Sequence, residues 1–185
     1  MNEQHNILLE SGTNEVELLE FFLGTQSFGI NVAKIRQILK FDPSGVTTLP
    51  NTYHSVLGTL LYHEQAIPLI DLNLHIHRPR FEEEHIPIVL VCEFNGAVNG
   101  FLTNGVNRIH RVSWEKLNPV SATLSQYTSR LVGTVNIEDR DILILDFEGI
   151  IFDINPETRQ LAQAEERDSK LTNRKEQRNQ VKIFL

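Results

Sequence analysis

The stretch "IPIVLVCEFNGAVNGFLT", residues 86–103, narrows the possible folds more than any other part of the chain. Two apolar runs, rich in β-branched residues, flank Asn95-Gly96. That pair accepts the positive φ angles of a tight two-residue turn, so the segment predicts an antiparallel hairpin. The same texture recurs along most of the chain. "VELLEFFLGTQSFGINV" predicts a strand, a Gly- and Ser-containing turn and a second strand, with a proline-marked turn at "FDPSG" further on. "TLLYHEQAIPLIDL" predicts strand, tight polar turn at His63 and Glu64, then strand, and "RLVGTVNIEDRDILILDF" predicts a hairpin with an acidic turn around Asp139. Between Pro50 and Gly58, "NTYHSVLG" fits one helical turn capped by Asn51 and closed by Gly58. "DFEGIIFDI" fits either helix or strand. Short strands at close spacing, without long helical periods, predict a mainly β fold of small barrels or a sandwich, not a parallel sheet.

Composition bounds the function. Of 17 Lys+Arg and 24 Asp+Glu, residues 1–154 hold 10 and 19, so this part carries −9 and the remaining 31 residues +2. Scattered basic residues on an acidic body do not make the clustered cationic surface that binds nucleic acid through counterion release. The single cysteine, Cys92, lies inside an apolar run, which predicts a buried structural thiol and excludes a disulfide framework or a CxxC pair. This usage fits a reduced cytoplasmic setting. No basic and apolar leader opens the sequence, and no apolar run approaches the ~20 residues that span a bilayer, so membrane insertion is not expected.

Sites for chemistry are few. His75 and His77 would share one face of a strand and His85 follows "FEEE", so a metal-dependent hydrolase built on these three histidines can be drawn. No ligand-spacing signature supports it, and a solvated loop is the plainer reading. Phosphate-binding loops, dinucleotide fingerprints and nucleophile elbows are absent from the sequence. Trp114, the only tryptophan, is expected to anchor packing. Catalytic residues, cofactors and metals are not expected.

After Asn155-Pro156 the texture changes to "ETRQLAQAEERDSKLTNRKEQRNQ", mixed in charge and without an apolar stripe, which predicts a solvated linker. The closing "VKIFL" reads as the opening of a buried strand.

"FGINVAKIRQI", "VLGTLLYHEQAIPLIDL" and "LVGTVNIEDRDILILDFEGII", in that order and at these intervals, resemble the CheW-like domain of bacterial chemotaxis. "LLESGTNEVELLEF", "IHRVSWEKL" and "LDFEGIIFDINPET" resemble in particular the CheV family, in which a CheW-like domain precedes a response-regulator receiver. The resemblance implies two small five-stranded, SH3-like β-barrels over residues 16–155, after an N-terminal segment 1–15. It also implies a charged linker over 156–180 and the first strand of a receiver at 181–185. It implies a non-enzymatic adaptor that couples the cytoplasmic signalling tips of chemoreceptors to the regulatory domain of the histidine kinase CheA, with phosphorylation of the receiver adjusting the coupling. The setting would be cytoplasmic, at receptor arrays by association. A diverged domain serving a different kinase is the alternative within the same fold.

Carried onto this chain, the contact region comprises Ile30, Val32, Ile35 and Gln37, and the strand-turn-strand around Leu61, Tyr62, His63 and Glu64. For Ile30 and Val32, burial in the core is an equal expectation, because alternation turns one strand face inward. The turn departs from the family pattern Asn-Leu-Arg-Gly. His63 stands for a permanent cation and Glu64 for a glycine that would permit positive φ, while Gln37 stands where the family commonly has Glu.

Overall fold

The computed structural model describes residues 14–77, 86–121 and 130–157. His85, most of the linker and "VKIFL" lie outside the described residues. Among those described, no helix is long and apolar enough to cross a membrane.

The fold is mainly β, as expected. Among the described residues, twelve strands form two six-stranded sheets. The first contains β1 (Glu15–Leu23), β2 (Gln26–Asn31), β9 (Gly105–Ser113), β10 (Leu117–Pro119), β11 (Leu131–Ile137) and β12 (Arg140–Leu145), in the order β10-β11-β12-β2-β1-β9. The second contains β3 (Ile35–Lys40), β4 (Val46–Thr47), β5 (Val56–Tyr62), β6 (Gln65–Asp71), β7 (Ile88–Phe94) and β8 (Ala97–Thr103), in the order β3-β7-β8-β6-β5-β4. The five strands per subdomain that the resemblance implies become six; each sheet includes one strand of only three or two residues, β10 and β4. The chain leaves the first sheet after β2, builds all of the second, and returns at β9. Three 3-10 turns and two α-helices complete the described elements, the latter being α1 (Leu72–His75), with Asp71 accepting from the Leu74 amide at 3.1 Å, and α2 (Phe147–Ile154). The contacts divide the chain after Asp146, so α2 opens a second compact unit.

Turn chemistry sets the hairpins. Asn95 and Gly96 take φ 49° and 75°, the left-handed pair that a two-residue turn of matching twist requires. Glu138 and Asp139 do the same at 52° and 61°, and His63 and Glu64 at 45° and 64°. "NTYHSVLG" is not helical: Asn51 has φ 55°, Val56 already opens β5, and Gly58 sits at a bulge rather than at a helix end. The short polar side chains stabilise a turn there before a helix can nucleate.

Two inner cores account for the alternation. Val16, Leu18, Val112, Val135 and Ile142 cluster in the first sheet, with Trp114 packed against them. Ile67, Leu69, Val89, Val91 and Leu102 cluster in the second, with Tyr62, Leu60 and Phe41 against them. The unbroken apolar run of β7 has a further cause. Val89 and Val91 fill the inner core, while Leu90 and Cys92 on the opposite face are also fully buried. A strand covered on both faces needs apolar residues at every position. From Leu18 onward β1 is likewise covered on both faces, and it touches β8. Asn104, between β8 and β9, fastens this region: its Oδ1 accepts from the Gly24 amide at 2.8 Å and from Asn73 Nδ2 at 2.9 Å.

Candidate partner-contact surface

The segment leaving β2 turns outward residue by residue. Ile30 is buried at 3% exposure, so it belongs to the core and not to a contact surface. Alternation on β2 places it beside Phe28, inward. Asn31 then caps a single 3-10 turn at Val32–Lys34, accepting from the Ala33 amide at 2.9 Å. Val32 and Ile35 are half-buried and Gln37 is exposed. A register shift between Ile35 and Gln37 rotates the strand as it enters β3. β3 is an edge strand, and beside Gln37 it exposes Ile38 at 44%, an apolar position absent from the sequence-derived set. Alternation from the core-packed Leu39 was the signal that could have found it. Besides the backbone ladder between β3 and β7, Arg36 reaches Glu93 at 2.7 Å, and Lys34 Nζ of the preceding 3-10 turn lies over the Phe94 ring at 5.4 Å.

The second expected patch is the β5–β6 turn. Tyr62 packs on the second core, whereas Leu61 is 74% exposed, the most exposed large apolar side chain described. His63 and Glu64 are exposed, and the His63 ring meets Tyr62 edge-on at 4.3 Å. Both turn residues occupy the left-handed region without being Gly or Asn, which stores strain on the order of 1 kcal/mol each. Glu64→Gly is therefore expected to stabilise the domain by about 1 kcal/mol, read as a higher urea midpoint at an unchanged slope. An unchanged or lower midpoint would mean the turn carries no strain. In sheet order β7, β8 and β6 separate this turn from β3, so the two patches lie at different places on the sheet.

Of the three histidines in the drawn metal site, His75 and His77 lie among the described residues and His85 does not. His75 is buried at the end of α1, its Nδ1 2.9 Å from Ser55 Oγ, so the solvated reading fails for this residue. Ser55 is itself fully buried, and the pair ties the loop before β5 to α1. His77 is exposed, with φ 55°, and its ring lies 5.5 Å from His54 and nearly parallel to it. Among the described residues no group of three or more His, Cys, Asp or Glu could hold a metal. Cys92 is fully buried, and burial pushes its thiol up to about 12, as expected of a structural cysteine.

One polar cluster went unseen in the sequence. Glu20 on β1 is fully buried and accepts from Ser27 Oγ at 2.7 Å, His110 Nε2 at 2.8 Å, Asn107 Nδ2 at 2.9 Å and Arg140 Nη1 at 3.0 Å. Burial raises its pKa, but the hydrogen bonds from His110, Ser27, Arg140 and Asn107 outweigh that and hold the carboxyl down at about 2. An ionised carboxylate only accepts, so His110 Nε2 carries a hydrogen. Both oxygens are fully engaged within the fold, which makes this a structural clasp joining β1, β2, β9 and β12.

Two β sheets, with exposed apolar and polar positions on an edge strand and a strained hairpin turn, define a mainly β domain. The chain belongs to the CheW-like domain family, whose model matches residues 17–154. It is 34% identical over 153 residues to the chemotaxis protein CheV3 of Helicobacter pylori, covering 76% of this chain and 49% of that protein. It is 25% identical over 146 residues to the chemotaxis protein CheW of Thermotoga maritima, covering 79% of this chain and 94% of that protein. The chain thus spans about half the length of the CheV relative. A crystal structure of the scaffolding protein TtCheW from Thermoanaerobacter tengcongensis shares the fold, with a TM-score of 0.69 at 17% identity over 80% of this chain and 94% of that one.

Proposed function

We propose that this domain is a non-enzymatic chemotaxis adaptor that couples chemoreceptor signalling tips to the regulatory domain of the histidine kinase CheA. In a longer protein of the CheV type, a receiver following the linker would adjust this coupling when phosphorylated. The match of residues 17–154 to the CheW-like family carries the reading. The work takes place in the cytoplasm, at receptor arrays.

Gln37 and Ile38 on β3 form one contact patch and Leu61, His63 and Glu64 the other, with Val32, Ile35 and Tyr62 supporting them from half-buried positions. An exposed leucine on a turn held in one conformation suits a hot-spot anchor, because its burial costs little further ordering. The altered turn and Gln37 change the charge offered to partners relative to the family pattern, and so bear on which partners are chosen.

Co-sedimentation of this chain with receptor-tip fragments, and separately with the CheA regulatory domain, tests the reading. Leu61→Asp is expected to weaken at least one of the two associations roughly tenfold or more. Ile109→Asp, exposed on β9 in the other sheet, should leave them unchanged. Failure of the unmodified chain to bind either partner would overturn the proposal.

A further inference from the structure

Three Asn-Gly pairs follow closely along β7 to β9: Asn95-Gly96, Asn99-Gly100 and Asn104-Gly105. Such a pair is chemically labile, because the glycine has no Cβ to shield its backbone nitrogen from the preceding side-chain amide. The three look alike in sequence and stand in different settings in the fold.

Asn95 and Gly96 are both exposed at the tip of the β7–β8 hairpin. The last ladder pair is Phe94 with Ala97, and in a two-residue turn the closing hydrogen bonds belong to that pair, leaving the Gly96 N–H to solvent. A Cβ built on Gly96 would meet no atom within 4 Å, so the space around the nitrogen is open. Rotation of the Asn95 backbone toward ring closure disturbs only the hairpin tip.

Asn99 is buried, paired with Cys92. The glycine after it, Gly100, is flanked on both sides, by Val91 of β7 and Leu69 of β6. Asn104 has its side-chain oxygen engaged by Gly24 and Asn73, and Gly105 is already paired with Phe22 of β1. At either site the backbone rotates only if the strands around it open.

We propose that Asn95 is a site of spontaneous conversion to aspartate and isoaspartate in the folded protein, and that the fold protects Asn99 and Asn104. The Gly96 backbone nitrogen, losing its proton to solvent, attacks Asn95 Cγ and expels ammonia, closing a succinimide. Water then adds to one of the two ring carbonyls. Opening at the side-chain carbonyl gives aspartate; opening at the main-chain carbonyl gives isoaspartate. No oxidant or reductant is involved.

The product adds a negative charge beside Glu93, and isoaspartate adds a backbone carbon to a turn whose two-residue length fixes the register of β7 on β8. This hairpin end also holds β3, through Arg36 on Glu93 and Lys34 on Phe94. Accumulated conversion is therefore expected to loosen the edge strand that exposes Gln37 and Ile38.

The test is incubation of the intact chain, folded, in mildly alkaline buffer at physiological temperature, with peptide mapping by electron-transfer fragmentation to place each amide-to-acid exchange. Asn95 is expected to convert at least roughly tenfold faster than Asn99 and Asn104, since those need local opening costing more than about 1.4 kcal/mol. In denaturing urea the three rates should come within a few-fold of one another. Gly96→Ala strains the folded turn, because Gly96 sits at φ 75°, so it is read in denaturing urea, where it should slow the Asn95 reaction. A native Asn95 rate less than tenfold above the other two would overturn the proposal, whatever the denatured rates.

Discussion

Replacing Glu20 with alanine is expected to cost about 3–5 kcal/mol of stability, a large fraction of the 5–15 kcal/mol that a domain of this kind typically has. The carboxylate is fully buried and receives four side-chain donors. Its removal leaves Ser27, Asn107 and His110 without their acceptor and Arg140 without its counter-charge, so the loss comprises unmet donors as well as a lost ion pair. Glu20→Gln should recover only part of it. The amide offers one oxygen, and its NH2 group faces donors where the second carboxylate oxygen had accepted. Urea unfolding of the three proteins at neutral pH is the measurement, and an Ala variant with an unmoved midpoint would show the clasp to be stability-neutral. The pH dependence follows from the same group. Glu20 protonates near 4.5 when unfolded and near 2 when folded, so its contribution is present above about 4.5 and is lost as pH falls toward 2. That loss is on the order of 3 kcal/mol in the unmodified chain and absent in the Ala variant, so the two stability curves should converge in acid.

The clasp also shows where sequence patterns stop being informative. In "VELLEFF" the inward register of β1 runs Val16, Leu18, Glu20, and period two alone places the glutamate in the core. A buried carboxylate becomes credible only when its partners are known. Ser27, Asn107, His110 and Arg140 lie 7, 87, 90 and 120 positions away, and nothing local announces them. The hairpins were legible for the opposite reason. Asn95-Gly96 and the acidic turn at Asp139 rest on residues next to one another in the chain, and the structure has both turns where the sequence put them. His75 failed in the way Glu20 did, because its burial depends on Ser55 from another loop. Ile30 was ambiguous by construction. A strand residue of alternating pattern is either core or contact, and only the course of the neighbouring chain places it in the core.

Gly58→Ala is expected to be nearly as damaging as loss of the clasp, at about 3 kcal/mol, and by a steric route. Gly58 has φ 147°, which side-chain-bearing residues rarely adopt, and it lies at the register shift where β5 pairs with β6. A Cβ there would run into the carbonyl oxygen of Thr47, with Thr48 Cα at 3.0 Å. The obstacle is backbone on the neighbouring strand rather than a side chain that could swing aside. β4 is only two residues long and pairs with β5 through Val46–Leu60 and Thr47–Thr59, so moving Thr47 removes the strand as a unit. Val46 packs against the second core, which couples that loss to the interior. Hydrogen exchange should therefore report faster amides across β4 and the facing part of β5, with β1 and β9 unchanged, alongside a lower urea midpoint. Uniform acceleration over both sheets would mean that β4 unfolds only together with the whole domain. An unchanged midpoint would mean that β4 can yield its place to a methyl group at no cost, contrary to the contact that Gly58 makes with it.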